Sequence, residues 1–143
     1  MTTDAPETHT VVIERTIAQP AEKIWRALTQ PHLIEEWLMK NNFEPVVGHR
    51  FNLRGDWGGV VDCEVLAVEP HKKLTYTWNF KHEEAAYNLT SVVEWTLTPT
   101  PTGTQLRMEQ SGFRPDQPQA YGGAMHGWQQ FFANLEQTLT KVE

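Results

Sequence analysis

The sequence predicts an α+β domain in which a curved antiparallel sheet of about six strands wraps one long C-terminal helix. Three observations carry this expectation. A β-branched stretch near the N-terminus is followed by two short helical segments. Alternating strands and turns then run for about eighty residues without a helix signal. The chain closes on one amphipathic helix, the only element long enough to cover the apolar face of those strands.

The first strand is TVVIERTI (10–17), β-branched and roughly alternating. Pro20 then stands at a helix start, where its missing N–H costs nothing, and AEKIWRALT puts Ile24, Ala27 and Leu28 on one face. Pro31 opens a second short helix, HLIEEWL, with Leu33, Ile34, Trp37 and Leu38 on its apolar side. Phe43 to Leu53 reads as a strand carrying Val46, Val47, Phe51 and Leu53, broken by Gly48. The glycines of RGDWGG (54–59) allow the chain to reverse. In GVVDCEVLAVEP (59–70), Val61, Cys63 and Val65 alternate with Asp62 and Glu64; the pattern then turns apolar on both parities, which predicts a bulge.

KLTYTWNF (73–80) sets Leu74, Tyr76, Trp78 and Phe80 against Thr75, Thr77 and Asn79. After the polar link KHEEAAYN, the segment LTSVVEWTLT (89–98) aligns Val93, Trp95 and Leu97. PTPTG (99–103) is a hairpin turn, and TQLRMEQSGF (104–113) returns with Leu106, Met108 and Gln110 on one side. Connections this short predict consecutive antiparallel pairing. From Tyr121 onward, a step of about 100° per residue lines up Tyr121, Met125, Trp128, Phe132, Leu135 and Leu139. Gln130, Asn134, Gln137 and Lys141 fall on the far side.

A length of 143 residues suits one domain, read here as residues 9–143 behind a polar, frayed segment 1–8. Cys63 is the single cysteine, so no intramolecular disulfide forms. The start MTTDAPETHT lacks a basic n-region and an apolar run, and no stretch approaches the roughly 18 apolar residues of a membrane span. A soluble, cytoplasmic protein without membrane insertion is expected. Eighteen acidic against 12 basic residues give a net charge of −6. A nucleic-acid partner is therefore not expected, because phosphate recognition needs a surplus of Lys and Arg.

The segments PAEKIWRALTQPHLIEEW (20–37), VVGHRF (46–51), GVVDCEVLAVEPHKKLTYTW (59–78), VVEWTLTPTPTGTQLRM (92–108) and HGWQQFFANLEQTL (126–139), in this order, carry a resemblance. They resemble the START-like superfamily, also called SRPBCC or the helix-grip fold, over nearly the whole chain. Within it the chain is similar to the branch named for activator of heat-shock protein 90 ATPase homologues. The resemblance implies a cavity between the sheet's concave face and the long helix, accepting lipids, polyketides, hormones or other largely apolar molecules. Where members often carry a second glycine in VVGHRF, this chain has His49, read as decorating a turn. The eukaryotic chaperone activator has a further N-terminal domain for chaperone binding, and no such domain is expected within these 143 residues.

Side chains of like parity share a face of a strand. Following the family's inward parity, Val61, Cys63, Tyr76, Trp78, Val93, Trp95, Met108 and Gln110 point toward the helix, which answers with Met125, Trp128 and Phe132. Gly127 removes a side chain beside Trp128. Each apolar member taken alone reads as ordinary core. As a group, with the polar atoms of Tyr76, Cys63 and Gln110 on an apolar wall, they read as a small-molecule site. Trp37, at a helix end, and Trp57, in a glycine-rich turn, are expected to close its mouth.

No catalytic residue and no cofactor are expected. Asp62 and Glu64 have outward parity, and His126 lies roughly 150° from the helix's apolar stripe. His82-Glu83-Glu84 lacks a second histidine four residues after the first, since position 86 is Ala86, so no zinc site is expected. GDWGG lacks the Lys-Ser or Lys-Thr and the helix start of a phosphate loop. The expected function is non-catalytic binding of a small hydrophobic molecule. The alternatives are an enzyme of the polyketide cyclase or hydrolase kind, with Tyr76 or a spatially assembled histidine as acid-base group, and a chaperone-associated stress-response module with a chaperone partner.

Overall fold

The computed structural model describes residues 9–56, 58–81 and 88–142. Strand β1 (His9–Ile17) leads into helices α1 (Ala21–Thr29) and α2 (Pro31–Trp37). Six strands follow: β2 (Lys40–Asn41), β3 (Arg50–Arg54), β4 (Val60–Glu69), β5 (Lys73–Phe80), β6 (Leu89–Thr100) and β7 (Gly103–Phe113). Helix α3 (Pro118–Leu139) closes the chain. Among the described residues, the sheet has seven strands in the order β1-β7-β6-β5-β4-β3-β2. This is the expected helix-grip architecture, with one more strand than the sequence predicts.

Sequential pairing holds from β2 to β7, all antiparallel. The first strand departs from it. With α1 and α2 intervening, β1 pairs with β7, Ile13 opposite Met108. Thr104, at the start of β7, donates its hydroxyl to the Gln19 carbonyl at 2.8 Å, which fixes where β1 hands over to α1. Gly103 permits this approach: a Cβ there would lie 2.1 Å from the Ile17 carbonyl oxygen. The apolar stretch at the middle of β4 carries the expected irregularity, a register shift between Val65 and Ala67 against β5 that leaves Leu66 43% exposed.

Two expectations are corrected, and one strand is added. Residues 43–49 form a loop, and Val46 and Val47 are exposed on it. Gly48 there has φ +91°, a conformation incompatible with a regular strand. The short strand β2 has too few residues for any periodicity to show. The long helix begins at Pro118 rather than Tyr121. Pro118 occupies the first helical turn, where proline is preorganised and its missing N–H is no loss. Gln117 before it donates its carboxamide to the Asn88 carbonyl, tying the helix start to the entry of β6.

The core lies between the concave face of the sheet and α3. Val11, Ile13, Leu74, Val93, Trp95, Leu97, Leu106 and Met108 supply the sheet side. Trp128, Phe132, Leu135 and Leu139 supply the helix side, none more than 2% exposed. Helices α1 and α2 add Ile24, Ala27, Leu28, Ile34 and Trp37. No described helix is long and apolar enough to cross a membrane.

Candidate functional site

An open cavity of about 420 Å³ lies between the sheet and the first half of α3. Alternation brings Val61 of β4, Trp78 and Phe80 of β5, Leu89 of β6 and Gln110 of β7 to its sheet wall. Met39, buried just before β2, closes one side. The opposite wall is α3, through Gln119, Ala120, Gly123, Ala124, Gly127, Trp128 and Phe131. Residues three and four apart share a helical face, so Ala120, Gly123, Ala124 and Gly127 form a stripe of small side chains over the sheet. A Cβ built on Gly123 would meet nothing within 4 Å. The space exists because the helix carries little volume where it faces Trp78 and Gln110.

A second depression of about 510 Å³ shares Met39 and Phe131 with the first. Its other lining residues are Glu35, Leu38, Lys40, Arg54, Gly55 and Asp56. Met39 and Phe131 thus stand between a charged outer surface and an apolar interior.

The interior is not wholly apolar. Trp128 Nε1 donates to Gln110 Oε1 at 2.7 Å, and Gln110 Nε2 donates to Ser91 Oγ at 2.9 Å. Ser91 Oγ in turn donates to the Trp78 carbonyl at 2.6 Å. Gln110 and Ser91 are buried, so these bonds replace water that would otherwise be missed. None of the described residues lining the apolar cavity carries a group that ionises near neutral pH.

Of the residues expected at the site, the structure brings Val61, Trp78, Gln110 and Trp128 to the cavity wall. Val93, Trp95, Met108 and Phe132 face inward as expected but sit deeper, fully packed at 1% exposure or less. Trp95 meets Trp37, Trp128 and Phe132 at ring-centroid distances of 5.6 Å each. Trp37 is therefore a core residue and not a mouth; it is 2% exposed, and its Nε1 donates to the Ala27 carbonyl at 2.8 Å. Met125 points away, 37% exposed. It lies about 60° round the helix from Trp128, on the side opposite Ala124 and Phe131. Trp57 and the segment from His82 through Ala86 lie outside the described residues.

Cys63 and Tyr76 are buried away from the cavity wall. Burial, with a smaller contribution from the Asp62 charge, pushes the Cys63 thiol well above its ordinary range. Burial also pushes the Tyr76 phenol up, outweighing the opposing hydrogen bond from Trp95 Nε1 at 3.1 Å. Both are neutral at physiological pH. His126 is exposed, as its helical position predicts. His49 lies at the 43–49 loop, its Nε2 at 2.9 Å from the Asn42 carbonyl oxygen, with its ring stacked over Phe51.

The model of the family described as Activator of Hsp90 ATPase homolog 1-like protein matches residues 18–140. The chain belongs to this family. Its match runs from just after β1 through α3, so the matched sequence spans both walls of the cavity. Among solved structures, protein MLL2253 from Mesorhizobium loti is 70% identical, with a TM-score of 0.91 over 94% of this chain and 99% of that one. DynU16, a protein in the dynemicin biosynthetic locus, is 25% identical with a TM-score of 0.79; the match covers 92% of this chain and 47% of DynU16. CalU16 from Micromonospora echinospora is similar in fold, at 24% identity and a TM-score of 0.78 over 97% of this chain and 81% of its own. No curated protein matches the chain.

Family membership leaves the cavity's own features to be explained by particular residues. Sequence parity selected the correct sheet face but missed Met39, Phe80, Leu89 and Phe131 at the wall. The readable signal is the spacing of Ala120, Gly123, Ala124 and Gly127.

Proposed function

We propose that this family member is a cytoplasmic binding protein for a small, largely apolar molecule such as a lipid, a polyketide or an aromatic metabolite. The observation that carries the reading is the cavity of about 420 Å³ held open by the small-residue face of α3. That volume falls in the range of about 300–1,000 Å³ typical of ligand pockets. An apolar lining with one anchored carboxamide is the mix such pockets use to hold a molecule and orient it. The ligand would be held without chemical change, because the described wall offers no nucleophile, acid or base.

A second reading, a polyketide-directed enzyme, draws support from the likeness to DynU16 of the dynemicin locus. It would need a group from beyond the described wall, since the Tyr76 hydroxyl is turned to Trp95.

Trp78 and Trp128 report on occupancy because both line the cavity. Titration with flavonoids, fatty acids and polyketide-like aromatics is expected to quench or shift the tryptophan fluorescence saturably for at least one class. Absence of any response across all three classes overturns the binding reading. Release of a chemically altered product from a bound member of the panel would favour the enzyme.

A further inference from the structure

We infer that Gln110 selects ligands presenting a hydrogen-bond acceptor, a carbonyl-type oxygen, to the sheet wall of the cavity. The inference deepens the binding reading above and rests on it.

The hydrogen-bond chain from Trp128 to Trp78 has its direction fixed at both ends. An indole N–H only donates and a backbone carbonyl only accepts. Trp128 Nε1 at 2.7 Å therefore identifies its partner on Gln110 as the carboxamide oxygen, which removes the usual ambiguity of an amide flip. Likewise Ser91 spends its one hydroxyl hydrogen on the Trp78 carbonyl. Ser91 Oγ must then accept from Gln110, at 2.9 Å from Nε2.

A carboxamide nitrogen carries two hydrogens. One goes to Ser91. Among the described residues, no acceptor takes the other. The cross-strand neighbours of Gln110, Val11 and Val93, are both fully buried and apolar. Gln110 lines the cavity, so this N–H is the hydrogen-bonding capacity its side chain has left for what enters.

The consequence is a preference by chemical class. A hydrocarbon against this N–H leaves a buried donor without a partner, whereas a carbonyl of the same shape supplies the missing acceptor. Sites built around a buried polar group reject analogues lacking the matching group more strongly than apolar walls reject a change of size. Among the described residues, the sheet wall supplies this donor and no free hydroxyl hydrogen, so it favours ketones, quinones and lactones over hydrocarbons.

Fluorenone and fluorene test this, because they share a rigid apolar frame and differ by C=O against CH₂. Calorimetric titration of the wild-type protein is expected to give a dissociation constant on the order of tenfold lower for fluorenone. Gln110→Leu should abolish the difference. That substitution also strips Trp128 of its acceptor, so Gln110→Glu is the companion. It keeps an oxygen for Trp128 and, protonated, has only one hydrogen, which Ser91 takes. The fluorenone preference should vanish there too, while the Trp128 indole N–H resonance keeps its hydrogen-bonded position. Equal affinities in the wild type, or a preference that survives both substitutions, overturns the role of Gln110 while leaving the binding reading intact. Failure of either compound, and of the broader fluorescence panel, to bind overturns both.

Discussion

The two halves of α3 cross the same sheet with opposite outcomes. From Phe132 to Leu139, the helix buries large side chains in the core that also holds Trp95, Leu97 and Leu106, and the interface is solid. From Pro118 to Gly127, it offers Ala120, Gly123, Ala124 and Gly127 to Trp78, Phe80 and Gln110, and about 420 Å³ stays open. Sheet curvature and helix geometry are shared by both halves; side-chain volume on one face of the helix differs. Interiors pack as densely as crystals where complementary volumes are supplied, so a site appears where the sequence withholds them. Core and pocket are here one interface, switched by residue size within about two helical turns.

The largest test of this contrast is at the solid end. Phe132 is 1% exposed and its ring lies against Trp95 at 5.6 Å. Phe132→Ala is expected to cost about 3–5 kcal/mol, because a cavity opens where the surroundings collapse only in part. Urea unfolding would show this as a lower midpoint at unchanged slope. A loss below about 1 kcal/mol would mean that the open region extends along the whole helix.

At the open end, enlargement replaces truncation. Gly123 has room for a side chain, since its Cβ position has nothing within 4 Å and its backbone is helical. Gly123→Leu should raise stability by about 0.5–1 kcal/mol through helix propensity alone. The same side chain would occupy the cavity and weaken the binding of any ligand that shifts the tryptophan fluorescence, by at least about tenfold, or about 1.4 kcal/mol. A variant that is more stable and no longer binds separates the two halves cleanly. Unchanged affinity would place the ligand elsewhere.

How far the sequence reveals this contrast follows from what periodicity records. Strand alternation through Leu74, Tyr76 and Trp78, or Val93, Trp95 and Leu97, reports which face a residue occupies. It does not report depth, so cavity wall (Trp78) and solid core (Trp95) carry the same pattern. The stripe from Tyr121 to Leu139 found the helix but weighted large residues, which drew in Met125 and passed over Ala120 and Ala124. Gly122 and Gly123, poor helix formers, concealed the true start at Pro118. Strand β2 and the 43–49 loop depend on tertiary pairing and on one positive φ at Gly48, which local pattern does not encode.

The smallest expected effect concerns polar groups sealed within the solid side of the molecule. Cys63 and Tyr76 have their ionisation pushed upward on folding, mainly by burial. An acid whose folded pKa exceeds its unfolded one holds its proton longer in the folded state. Across the window between the two values the unfolded chain binds fewer protons, and stability falls as pH rises. Below the unfolded pKa both states are protonated and that stabilisation is fully present. Stability should therefore be insensitive to these groups at neutral pH and decline once the pH passes the ordinary thiol range of about 8.5, then the ordinary phenol range of about 10. Urea midpoints measured from pH 7 to pH 11 check this, with Cys63→Ala as the comparison. The variant should lack the earlier part of the decline and keep the later part, which belongs to Tyr76. If wild type and variant decline together from the same pH, the thiol is not sealed from water, and the solid side is looser around β4 than its burial implies.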